Sequence, residues 1–134
     1  MIIEPVNWQE IEFFNRSEFA CSHCGRCEVD ETFVMRIDEL RRKYGKPLRI
    51  TSGYRCPEHN AAVSSTGHDG PHTTGRAVDL AVSRGEAYQV LKIAMAMGGF
   101  SGFGFAQRGS GRFLHIDDLR NDETVGPRPT IWSY

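Results

Sequence analysis

Two short stretches, Arg76–Val82 and Phe113–Asp117, alternate between apolar and polar side chains with the period of a strand. In the first, Val78, Leu80 and Val82 share one face, and Ala77, Asp79 and Ala81 share the other. In the second, Leu114 and Ile116 face one way while Phe113, His115 and Asp117 face the other. Each stretch therefore carries an apolar face backed by ionisable residues. If the two strands pair, Asp79 and His115 converge on one face of a sheet. His72 then reaches them from the preceding loop, with Gly75 allowing a sharp turn between His72 and Asp79.

The remaining pattern supplies the elements around such a sheet. Asp30 reads as an N-cap before a helix in which Phe33, Ile37, Leu40 and Tyr44 recur at helical spacing, and Gly45 with Pro47 stops it. Leu48–Thr51 is a short strand candidate, and Pro57 opens a short helix running to Ser64. Ser64–Thr74 is rich in Ser, Thr, Gly and Pro and reads as a loop. Ser83 and Glu86 form a capping-box pattern before a helix with Ala87, Val90, Leu91 and Ala94 on one stripe, ended by Gly98 and Gly99. Phe100–Phe105 is a strand joined to Phe113–Asp117 through a Gly/Ser turn at 108–111, and Ile131–Tyr134 is a packed terminal strand. The expected fold is α+β, a mainly antiparallel sheet with flanking helices. The 134 residues fit a single domain spanning 1–134.

Several function classes are excluded by composition. The formal net charge of −1 leaves no basic footprint for nucleic acid or an anionic membrane. Ile93–Phe100, the longest nearly apolar stretch, is far short of the roughly 20 residues a membrane span needs. The opening residues MIIEPVNW carry Glu4 and Trp8 where a secretory signal would have a basic and then an apolar region. The expectation is synthesis in the cytoplasm without a signal peptide, as a monomer. Gly99–Gly104 is glycine-rich, yet it follows a helix and lacks the phosphate-loop lysine. Its glycines fit close strand packing near the site.

Two imidazoles and one carboxylate, from His72, His115 and Asp79, suit a zinc ion with its fourth position open to water. Such an ion acidifies water and polarises a carbonyl. The same residues admit a structural reading, in which His72 caps its loop, Asp79 pairs with Arg76 or Arg55, and His115 is satisfied within the sheet. A second, structural ion is conceivable at Cys21, Cys24, Cys27 and Cys56, or at three of these with His23. Three closely spaced cysteines are a weaker pattern than two separated pairs, so free buried thiols or one bridge such as Cys21–Cys56 stand ahead of it.

Three ordered motifs resolve the first choice. Ser52-Gly53-Tyr54-Arg55-Cys56-Pro57-Glu58-His59-Asn60, then His72-x-x-Gly75-x-Ala77-x-Asp79, then Phe113-Leu114-His115-Ile116-Asp117 closely resemble the zinc D-Ala-D-Ala carboxypeptidases. That family of cell-wall peptidases includes many phage endolysins. The resemblance runs from about Phe14 to Trp132 and implies the fold shared with hedgehog signalling domains. It implies His72, Asp79 and His115 as zinc ligands and Arg55 as a substrate and oxyanion clamp. It also implies a hydrolase in which zinc-bound water attacks a peptide bond, with a D-amino acid involved, in peptidoglycan stem peptides. Action would then follow release to the cell wall, or occur on a virion.

Several branches of this family carry a glutamate three or six residues before the last histidine, where this chain has Arg112 and Gly109. Asp117 is the candidate general base, or else the partner that fixes the His115 ring. Asp118 falls on the opposite face and reads as a turn or salt-bridge residue. Glu58 reads as a solvated charge of a first helical turn. His68 is a candidate substrate contact from the loop, and His59 and Asn60 organise the start of their helix. The alternative to an enzyme is a catalytically inactive, zinc-containing module that binds cell wall or builds a virion.

Overall fold

A computed structural model describes residues 5–123 and 126–134; Glu4, in the opening stretch, lies outside them. After a 3-10 turn at Trp8–Glu10 the elements are α1 (Arg16–Phe19), α2 (Glu31–Tyr44), β1 (Ile50–Ser52), α3 (Pro57–Val63), β2 (Ala77–Leu80), α4 (Arg84–Met97), β3 (Gly102–Ala106), β4 (Phe113–Asp117) and β5 (Thr130–Ser133). Further 3-10 turns occupy Pro71–Thr74 and Asn121–Glu123. The strands form one sheet in the order β1-β2-β4-β3-β5. All pairings are antiparallel except β3 with β5. This is the expected α+β arrangement.

The apolar faces of the strands make the core. Val78, Leu80, Phe103, Leu114 and Ile116 are buried in one cluster with Phe33, Val34, Ile37 and Leu40 of α2 and Val90 and Ala94 of α4. Local signals set the ends of α2. The Asp30 side chain accepts the Phe33 N–H, and Gly45 caps the other end in the left-handed conformation. One residue of α2 does more than its helical position foretells. Asp38 is buried and accepts the N–H groups of Glu12 and Phe13, pinning the N-terminal segment to the helix.

Two local expectations are displaced by tertiary partners. Ser83 stands at the N-cap of α4, but its side chain makes no capping bond. Gln107, at the end of β3, accepts the Arg84 N–H and donates to the carbonyls of Val82 and Phe113, tying the helix start to the hairpin. The strand expected from Phe100 begins at Gly102, and Phe100 stands edge-on to Phe33 of α2 instead. Among the described residues no helix is long and apolar enough to cross a membrane.

Candidate metal centre and its cleft

The pairing of β2 with β4 sets Asp79 directly opposite His115. His72 comes from the 3-10 turn at Pro71–Thr74, which Gly75 closes with φ of 77°. The three side chains are buried and meet through one atom each. His115 Nδ1 lies 3.2 Å from His72 Nε2 and 3.1 Å from Asp79 Oδ1. His72 Nε2 lies 3.2 Å from Asp79 Oδ1.

Their outer partners assign the tautomers. His72 Nδ1 lies 2.9 Å from the Gly53 carbonyl, which can only accept, so Nδ1 carries the hydrogen. His115 Nε2 likewise donates to Asp117 Oδ2 at 2.8 Å. With both rings neutral, the three inward atoms are lone-pair acceptors crowded together. A cation at their centre relieves that repulsion. Zinc–ligand bonds of about 2.0–2.1 Å place tetrahedral neighbours roughly 3.3 Å apart, close to the observed triangle. The donor set fits such an ion.

The electrostatics agree. Burial opposes charge on Asp79, but the adjacent His72 and His115 hold its carboxyl well below the usual carboxylate range. Burial pushes His115 down, and the carboxylates of Asp117 and Asp79 on its two edges push it up further. The space between these groups thus favours positive charge, which a proton on the His115 ring or a bound cation would supply.

The sequence model of peptidase M15 matches residues 12–117, ending with the last residue of β4. The chain belongs to the peptidase M15 family. No curated protein and no solved structure matches it. M15 peptidases use zinc, and His72, Asp79 and His115 are a group in this M15 chain that could hold it.

The triangle lies in a cleft of about 830 Å³ lined also by Arg55, Asn60, Phe113, Trp132 and Tyr134. Arg55 is held on both sides. Its Nη1 donates to Asn60 Oδ1 and its Nη2 to Ser52 Oγ, both at 2.9 Å, and Nη2 lies 4.0 Å from Asp79 Oδ2. Asn60 is buried and donates to Thr66 Oγ1 and the Gly67 carbonyl, so one amide fastens Arg55 and the following loop together.

Asp117 lies across the His115 ring from the triangle. It is fully buried, and its two oxygens accept from Arg128 Nε at 2.9 Å and Nη2 at 2.8 Å. Burial works against its charge, yet His115 and Arg128 hold the carboxyl at about 2. Of the two expected roles, this placement suits the one that orients the imidazole.

The glycines of β3 make this arrangement fit. Gly102 pairs with Asp117, and a Cβ there would stand 2.5 Å from Asp117 Oδ2. Gly104 pairs with His115 on one side and Trp132 on the other, and a Cβ there would stand 2.6 Å from Trp132 Nε1. A single row therefore crosses the sheet from Ser52 through Asp79, His115 and Gly104 to Trp132. The Trp132 ring stands 5.0 Å from the His115 ring, and the Arg128 guanidinium lies over the indole, 5.0 Å from its centroid.

Other candidates fall outside this row. His68 is exposed on its loop and does not line the cleft. Glu58 is exposed, 3.7 Å from Arg26. Asp118 is buried on the reverse side, joined to Arg36 and Arg76, so Arg76 is no partner of Asp79. Arg128, Trp132 and Tyr134 were not singled out by sequence as site residues. The terminal strand was legible, but its parallel seat beside β3 was not, and only that seat brings them to the cleft.

Proposed function

We propose that this M15 chain hydrolyses a peptide bond in peptidoglycan stem peptides, one involving a D-amino acid. The observation that supports it most is the meeting of two ring nitrogens and one carboxylate oxygen at the floor of a cleft with a fixed arginine beside them. His72, Asp79 and His115 would hold the ion. When bound there, zinc supplies Lewis-acid activation of water and of the scissile carbonyl.

The residues of the chain do the rest. Arg55, anchored by Asn60 and Ser52, presents its guanidinium toward the triangle. It can clamp a terminal carboxylate or stabilise the oxyanion that develops on the substrate. Asp117 acts as a positioning residue, keeping the hydrogen on His115 Nε2 and the lone pair on Nδ1. Trp132, Phe113 and Tyr134 give the cleft an apolar wall against which a peptide backbone can lie.

A second reading is carried by one observation. Among the described residues lining the cleft, Asp79 is the only side-chain carboxylate, so no separate carboxylate base stands there. This favours a module that binds stem peptide without turnover. Mass spectrometry of purified peptidoglycan incubated with zinc-loaded protein, with and without a chelator, separates the two. Chelator-sensitive release of a defined fragment is the expected result, and its mass identifies the bond and whether the cut is terminal or internal. Wall binding without release, across several wall chemistries, supports the second reading instead.

A further inference from the structure

A second group of ligating side chains lies outside the cleft. Cys21 and Cys24 stand on the loop after α1, and Cys56 immediately precedes α3. Their three sulfur atoms lie within 4.8 Å of one another, and all are free thiols. The loop is folded to bring this about. The Cys21 N–H donates to the Arg26 carbonyl at 2.7 Å and the Gly25 N–H to the Cys21 carbonyl at 2.8 Å, closing Cys21-x-x-Cys24 into a tight knuckle.

Each sulfur also has a donor aimed at it. The Cys56 N–H points to Cys21 Sγ at 3.4 Å, the His59 N–H to Cys56 Sγ at 3.4 Å, and Arg26 Nε–H to Cys24 Sγ at 3.5 Å. N–H groups directed at sulfur are the outer contacts that hold a ligating cysteine in place. His23 Nδ1 lies 3.6 Å from Cys56 Sγ. Cys27 belongs elsewhere, its thiol directed at the Arg16 carbonyl. Packing alone gives no reason to gather three sulfurs from two distant segments, since Cys24 is exposed and gains nothing from burial. A disulfide would use two of them and strand the third.

We propose that Cys21, Cys24 and Cys56 hold a structural zinc ion, with the His23 imidazole next to Cys56 as a candidate fourth ligand. Thiolate sulfur selects zinc among the common divalent ions, and one nitrogen beside three sulfurs is a familiar zinc set. The ion braces the wall of the cleft. Tyr54 N–H already donates to the Phe19 carbonyl, joining α1 to the Ser52–Cys56 segment. That segment supplies both Arg55 and the Gly53 carbonyl that orients His72. The inference does not depend on peptidase activity.

The test uses the full chain, refolded or purified under reducing conditions and loaded with cobalt(II) in place of zinc. A thiolate-to-cobalt charge-transfer band in the near ultraviolet is expected. It should persist in the His72→Ala/His115→Ala variant, which keeps about one ion per chain, and vanish in Cys24→Ser and Cys56→Ser. Should the cysteine variants fail to fold, the zinc-loaded wild type decides. A thiol-specific mercurial should release about one zinc ion per chain as three of the four thiols are titrated. Absence of the band in the wild type, its survival in a folded Cys24→Ser variant, release of no zinc on thiol titration, or a disulfide among these cysteines in the metal-loaded protein overturns the proposal.

Discussion

The Asp117 carboxylate is fully buried, and both groups that neutralise it are themselves withdrawn from solvent, His115 almost completely and the Arg128 side chain to 5% exposure. Removing the charge while keeping the shape therefore strands Arg128. Asp117→Asn should destabilise the fold by about 3–5 kcal/mol, the usual cost of breaking a buried pair from one side. It should also weaken metal binding about 10- to 100-fold, because His115 loses the acceptor that fixes its tautomer. Denaturant unfolding and a competitive metal titration measure the two effects. If the variant kept both stability and metal but lost hydrolysis, Asp117 would be acting as the base. One position along the chain, at Asp118, the side chain turns to the other face, where two arginines take it and no metal chemistry is within reach.

At the scale of the element, β3 is the strand most constrained by the site, although it contributes no ligand. Its two glycines leave room for a carboxylate on one neighbour and an indole on the other. Gly102→Ala presses a methyl group into the buried Asp117 carboxylate, which has no free space to retreat into. A loss of about 1–3 kcal/mol and weakened metal binding are expected. Gly104→Ala meets the half-buried Trp132 ring, which can swing toward the cleft. A smaller stability loss is expected there, with a shifted Trp132 emission and a raised KM. Thermal melts, tryptophan fluorescence and steady-state kinetics on the pair distinguish these outcomes, and equal effects on stability would refute the difference in room to move. Helix α4 makes a related point. Its local capping signal at Ser83 is present in sequence, but Gln107 from the hairpin takes over the start of the helix because it can satisfy three backbone groups at once.

Across the whole molecule the sheet divides the labour. One face joins α2 and α4 in the apolar core, and the other gathers His72, Asp79 and His115, a group that could hold a metal ion. The centre should hold the fold together as well as bind, since without a cation its buried acceptors repel. Stripping metal with a chelator is expected to lower Tm by about 5–10 °C, with full recovery on adding zinc, since ligand binding to the folded state contributes about 1.4 kcal/mol per tenfold excess over Kd. Differential scanning calorimetry on stripped and reloaded protein measures this. An unchanged Tm would show that the triangle is stable without an ion.

The local elements and the chemistry they carry follow from the order of residues along the chain. Period-two alternation marked β2 and β4, helical spacing with Asp30 and Gly45 marked α2, and the alternation placed Asp79 and His115 on the polar faces of their strands. Those signals are local, because side-chain direction follows directly from backbone period. The ordered motifs likewise singled out Arg55 and His72. The tertiary structure decided what depends on register and on distant segments meeting. The antiparallel register of β2 with β4 set Asp79 opposite His115, and the parallel seat of β5 brought Arg128 and Trp132 to a site that matched family positions reach only as far as residue 117. The meeting of the Cys21–Cys24 knuckle with Cys56 chose three sulfurs and left Cys27 out. No spacing along the chain encodes those encounters, because each is fixed by how the apolar faces pack and by which polar groups that packing leaves facing one another.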